Sequence, residues 1–214
     1  MKIFKELHQL IFPGRCISCR NLGESLCRIC RLSWSSRNYI THISHNPPLK
    51  VFSSIAYSDI AGRVLLAAKE SHLKSADLLV ADAISYSLRQ WLKLEWIDTL
   101  VPIPSRKSAV RKRGRQFIEE ITELVTEPIN LAISTPLHHS RQLRDQSGLN
   151  FEERRNNLEG ALVVKGKPEG LGRVLLVDDL VTTGATLNEA ARALRYAGIE
   201  VIGAVTAAVA QTVR

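Results

Sequence analysis

Thirteen consecutive residues constrain this chain more than any other stretch: Val174-Leu-Leu-Val-Asp178-Asp179-Leu-Val-Thr182-Thr183-Gly184-Ala185-Thr186. Four apolar residues bounded by polar ones predict a strand covered on both faces, with the two acids at its end. Leu187, Ala190, Ala191 and Leu194 then repeat at helical spacing, and Gly198 stands where a C-terminal cap belongs. Between strand and helix lies a loop of Thr and Gly. At a helix start such a loop offers backbone N–H groups, hydroxyls and a positive helix end, the components of a phosphate cradle. Two adjacent carboxylates cannot attract phosphate themselves. Ribose hydroxyls, or a metal held beside a diphosphate, would suit them. A hydrophobic run ending in Asp-Asp also serves as the second motif of P-loop ATPases, but no G-x-x-x-x-G-K-[ST] occurs in the chain.

The order of four hydrophobics, two acids, Leu180-Val181 and Thr-Thr-Gly-Ala-Thr resembles the 5-phosphoribosyl-1-pyrophosphate (PRPP) motif of type I phosphoribosyltransferases. The resemblance implies that Asp178 and Asp179 hold the ribose 2′- and 3′-hydroxyls. It implies that Thr182, Thr183, Gly184, Ala185 and Thr186 hold the 5′-phosphate.

All four cysteines fall in one short stretch, Cys16-x2-Cys19-x7-Cys27-x2-Cys30. Two C-x-x-C knuckles this close can close a tetrahedral thiolate site. Four soft sulfurs in a reducing compartment suit structural Zn2+, with an iron–sulfur cluster as the alternative. Two disulfides would need an oxidising compartment that nothing else indicates. Arg15, Arg20, Arg28, Arg31 and Arg37 surround the cysteines. They suit either nucleic-acid contact or neutralisation of a tetrathiolate site of net charge about −2.

The 214 residues allow one large domain, or one domain and a small module, and the 45% hydrophobic content supports a sizeable core. The formal net charge of +8 favours phosphate-bearing ligands or nucleic acid. No stretch approaches the ~20 apolar residues of a membrane span, so no membrane insertion is expected. Met1 to Phe12 is amphipathic and does not read as a secretory signal, so a cytoplasmic location is expected. Residues 1–45 are expected to form the zinc-binding module, opening on a short helix. Pro47 and Pro48 mark a linker, and residues 50–214 form the second domain. There, strands are expected at Val51–Tyr57, Ile97–Ile103, Val174–Val177 and Glu200–Ala208. Helices are expected near 60–70, 76–93, 113–126 and 187–197. This alternation predicts an α/β fold with a parallel sheet and helices on both faces.

The order of motifs extends the resemblance over residues 10–210. The cysteine knuckles are followed by Val101-Pro-Ile-Pro104, Arg113-Gly114, Gln146-x2-Leu149-x4-Arg154-x2-Asn157 and the PRPP motif. This resembles the ComF/GntX family, which joins a zinc module to a type I phosphoribosyltransferase-like core and is associated with natural competence. The chain departs from the family pattern at Gln116-Phe117, where an Asn-Gln pair is usual, and at Leu143, where Thr is common. The resemblance implies PRPP or ribose 5-phosphate as ligand, with Mg2+, and transfer of ribosyl phosphate to an unknown acceptor. It places the diphosphate against the loop after the second strand, which makes Arg106 and Lys107 its candidate partners. Lys69, closing an apolar helix, is a further candidate. Residues 138–157, with Arg144, Gln146, Arg154 and Asn157, would form a mobile loop over the ligand. No catalytic residue is assigned; His138 and His139 read as exposed and inert. From Arg106 to Arg115 there are six basic residues and no acid. Cations at the start of a helix are unfavourable, so this strip reads as functional. The rival reading is a non-catalytic module that grips single-stranded DNA or a DNA-uptake protein. Trp34 and Tyr39 would be its sparse stacking aromatics.

Overall fold

The computed structural model describes residues 14–44, 47–140, 160–166 and 168–210. Their centre is a six-stranded sheet of order β1-β2-β8-β7-β3-β4. Its strands are β1 (Tyr39–Ile43), β2 (Leu49–Ala56), β3 (Thr99–Pro102), β4 (Ala132–Ile133), β7 (Val174–Val181) and β8 (Val201–Val209). Pairing is parallel everywhere except between β1 and β2. The expected mostly parallel α/β sheet is therefore present. The Pro47–Pro48 segment lies between two paired strands, and the sheet begins upstream of it.

Helices cover both faces because the central strands are apolar on both sides. Leu175 and Val177 pack with α2 (Asp59–Ser71), α3 (Lys74–Leu92) and α5 (Phe117–Thr126). Val174 and Leu176 pack with α6 (Ala185–Tyr196). Gly203 lets Trp91 of α3 press onto β8, where any Cβ would meet the indole ring. That ring meets Phe52 edge-on, with centroids 5.2 Å apart. Two short strands, β5 (Leu137–His139) and β6 (Leu162–Val164), form a separate antiparallel pair.

Three expectations change. β7 does not stop at its acids: β8 offers ladder partners as far as Val181, so Asp178 pairs opposite Thr206 inside the strand. The helix expected over 113–126 is two helices. Gly114, at φ 72°, ends α4 (Lys107–Arg113), and α5 begins three residues later. Arg111, Lys112 and Arg113 thus lie in the last turn of α4, where the helix dipole favours cations. This removes the electrostatic reason for reading Arg111, Lys112 and Arg113 as functional, whereas Arg106 and Lys107 do stand at a helix start. Gly198 takes its expected place after α6 at φ 81°, with its N–H donating to Arg195 C=O at 2.9 Å.

Candidate functional site

The cysteine cluster is assembled by two local structures. Arg15 bridges Leu22, and the N–H of Arg20 donates to Cys16 C=O at 2.9 Å, which folds the first knuckle. Cys27 caps the short helix α1 (Arg28–Ser33), placing Cys30 on its inner face. All four Sγ atoms lie within 4.8 Å of one another, with Cys19 and Cys27 Sγ at 3.5 Å. Zn–S bonds of about 2.3 Å require S···S separations of about 3.8 Å, so the four thiols fit one tetrahedral ion. Without metal, burial would raise the Cys16 thiol. Backbone N–H groups of Cys19, Cys27 and Ser18 more than offset that and bring it to about 6. Burial, with the neighbouring thiols, pushes Cys30 up to about 12. Cys16, Ile17, Leu26, Cys30 and Trp34 join the same apolar cluster as α2 and α3. Trp34 is buried, so it offers no stacking face.

At the other candidate site, Gly184 caps α6 in the left-handed region at φ 77°. A Cβ there would approach Ile43 Cδ1 to 2.5 Å, so Gly is required by both conformation and space. The first N–H groups of α6 have no helical partner by construction. One of them, Ala185 N–H, donates to Thr183 Oγ1 at 3.3 Å. Thr182 is exposed and Thr183, Ala185 and Thr186 half-buried, so the loop is open to an anion.

The two acids differ. Asp179 is buried, and its Oδ2 lies 2.6 Å from Lys69 Nζ of α2. Burial disfavours the Lys69 ammonium, but the charges of Asp179 and Asp178 outweigh it and raise its pKa. Asp178 is half-buried and accepts the Asp179 N–H at 2.8 Å. Desolvation and the Asp179 charge hold the Asp178 carboxyl well above the usual range. Asp178 is thus an under-compensated carboxylate, suited to hydroxyl donors or a hard cation.

The loop after β3 carries Arg106 and Lys107 at the start of α4. Gln116 Oε1 accepts Ser105 N–H at 3.2 Å, and His139 Nε2 lies 3.1 Å from Pro104 C=O. Burial, reinforced by the Arg106 and Lys107 charges and only partly opposed by that carbonyl, lowers the His139 pKa. The basic strip is partly committed to structure. Arg113 and Lys112 pair with Glu70 at 2.7 and 3.2 Å. Arg115 is buried between Asp77, at 3.0 Å, and Glu120, at 2.8 Å. Sequence reasoning did not single out Glu70 or Glu189, and named Gln116 only as a departure from the family pattern. Glu189 Oε1 accepts Leu162 N–H at 2.9 Å and ties β6 to α6. In the sequence Glu189 stands off the Leu187, Ala190, Ala191 and Leu194 stripe, so helical spacing gave no signal for it. Arg144, Gln146, Arg154 and Asn157 lie outside the described residues.

Residues 109–212 match the family model described as the phosphoribosyl transferase domain. The mostly parallel sheet with helices on both faces, together with that match, gives the chain the type I phosphoribosyltransferase fold. Competence protein F of Haemophilus influenzae is 29% identical over 113 residues, 51% of this chain and 49% of that protein. The chain is similar to that protein over about half of that protein's length. Among solved structures, an adenine phosphoribosyltransferase aligns with 86% of this chain and 89% of its own, at 12% identity and TM-score 0.46. Orotate phosphoribosyltransferase from Aeropyrum pernix aligns with 84% of this chain and 78% of its own, at 16% identity and TM-score 0.39. No helix among the described residues is long and apolar enough to cross a membrane.

Proposed function

We propose that the domain binds PRPP and transfers its ribosyl 5-phosphate to an acceptor. The observation that carries this reading is the open Thr182–Thr186 loop at the start of α6, two residues after an acid pair with one under-compensated member. The 5′-phosphate would lie against the loop N–H groups and hydroxyls, and the ribose hydroxyls would donate to Asp178 and Asp179. Arg106 and Lys107 would face the diphosphate. In the transfer, the acceptor's lone pair forms a bond to the anomeric carbon as the bond to the diphosphate oxygen breaks and that oxygen takes the electron pair. Cations near the departing oxygens lower this barrier. Mg2+, when bound beside Asp178 and the diphosphate, would supply further charge stabilisation. Diphosphate release from PRPP with Mg2+ and a panel of amine acceptors tests the reading. The parent should release diphosphate at least tenfold faster than Asp178→Asn, and equal rates would count against it.

Similarity to a protein named for competence supports a link to DNA uptake or utilisation. A second reading, in which the zinc module contacts single-stranded DNA or a DNA-uptake protein, is favoured by exposed Arg15, Arg20 and Arg28 around the cysteines. Neutralising these three should then flatten the salt dependence of oligonucleotide binding by about one unit of slope per lost phosphate contact. Unchanged slope would remove the module from that role.

A further inference from the structure

The last turn of α2 sends two adjacent side chains to different parts of the candidate site. Lys69 reaches Asp179 Oδ2 at 2.6 Å on β7, and Glu70 reaches Arg113 at 2.7 Å and Lys112 at 3.2 Å on α4. Successive helical residues point about 100° apart, so one turn can hold two elements at once. Both holds are sheltered. The side chains of Lys69 and Asp179 are 29% and 8% exposed, and those of Arg113 and Glu70 are 20% and 26% exposed. Burial works against the Glu70 carboxylate, but Lys112 and Arg113 outweigh it and keep its pKa low.

On the far side of each hold stands one half of the ligand site. Asp179 continues into the Thr182–Thr186 loop. α4 begins at the loop of Arg106 and Lys107, whose own start is closed by the Ser105 N–H bond to Gln116. None of the residues of α4 is buried, and its apolar Ala109 and Val110 are only half-buried. Its ends are held by the β3 loop at one, and by the Glu70 pairs and Gly114 at the other.

We infer that Lys69 and Glu70 are positioning residues that couple the ribose–phosphate half of the site to the diphosphate half. Resting on the PRPP reading above, the inference adds how the two halves communicate. A ligand on Asp178 and Asp179 shifts the partner that Lys69 holds. The displacement passes along one helical turn to Glu70 and α4. Occupation of either half then favours the geometry the other half needs, which makes binding reciprocal.

The test uses ribose 5-phosphate and Mg2+-diphosphate as separate probes, titrated calorimetrically alone and in each other's presence. In the parent, each should bind at least about fivefold tighter with the other present. Glu70→Gln, whose side chain touches neither probe, should bring that factor close to one, and Glu70→Asp should restore part of it. A purely structural Glu70 would lower the melting temperature of Glu70→Gln without changing the coupling. Folded Glu70→Gln with parental coupling would overturn the inference and leave the site reading intact. So would a parent that binds both probes independently. A parent that binds neither probe would end the site reading, and the inference with it.

Discussion

Replacing Lys69 with Met removes the cation beside Asp179 while keeping the length and apolar stem of the side chain. In the parent, Lys69 Nζ and Asp179 Oδ2 are 2.6 Å apart, with the Asp179 side chain only 8% exposed. Removing one partner of a buried ion pair costs about 3–5 kcal/mol, because the other charge stays desolvated and unpaired. Lys69 is 29% exposed, so water already screens part of the interaction, and a cost of roughly 2–3 kcal/mol is the better expectation. A chain of 150–250 residues loses about 2–4 °C of Tm per kcal/mol, so Lys69→Met should melt roughly 4–12 °C lower. Circular dichroism during heating measures this directly. Lys69→Met/Asp179→Leu, which removes both charges, should recover most of the loss. The pH dependence follows from the raised pKa of Lys69. Its stabilisation is complete below the unfolded value of 10.5 and disappears as pH rises through the higher folded value. The gap between parent and variant should therefore stay constant from neutral pH to about 10 and close only beyond it. A variant melting within a degree of the parent at pH 7 would refute the reasoning.

Asp178→Asn should stabilise the unliganded protein at pH 7. Its carboxyl is raised above 3.8 in the fold, so ionising it as pH rises costs the native state. The gain should vanish in acid, below 3.8, where both forms are uncharged, and Tm across pH measures it. Gly184→Val should lower stability by about 2–4 kcal/mol, from a left-handed β-branched residue and the clash with Ile43, and should abolish ribose 5-phosphate binding. Urea unfolding and calorimetry read the two effects separately. Elemental analysis of protein purified under reducing conditions should find about one zinc per chain, with iron or no metal as the contrary result. Chelation should lower the melting temperature, because Cys16, Cys30 and Trp34 share an apolar cluster with α2 and α3.

The parallel sheet, the main helices and the cysteine cluster were legible because each has a local signature. Val174–Val177 is apolar on both faces, Gly198 follows a helical repeat, and four thiols lie at knuckle spacing. The end of β7 was not legible, because its extension past the acids depends on β8, more than twenty residues later. Nor was the role of the basic strip. Its partners Glu70, Asp77 and Glu120 sit on α2, α3 and α5, and no spacing rule connects Arg113 with Glu70. Lys69 read as a candidate partner for diphosphate, and its pairing with Asp179 of β7 has no signature in the sequence. Opposite charges brought together by tertiary packing leave no periodic trace in a sequence.

The measurement that bears most directly on the central claim is isothermal calorimetry of the parent with PRPP and Mg2+, beside Asp178→Asn and Asp179→Asn. A hydrogen bond to a charged acceptor contributes about 1.5–3 kcal/mol, so each substitution should weaken PRPP about tenfold or more. Inorganic phosphate should bind both variants nearly as it binds the parent, since the Thr182–Thr186 loop is untouched. PRPP binding in the parent, lost in both variants, is the predicted result. No heat from the parent at millimolar PRPP with Mg2+, or parental affinity in both variants, would contradict the account.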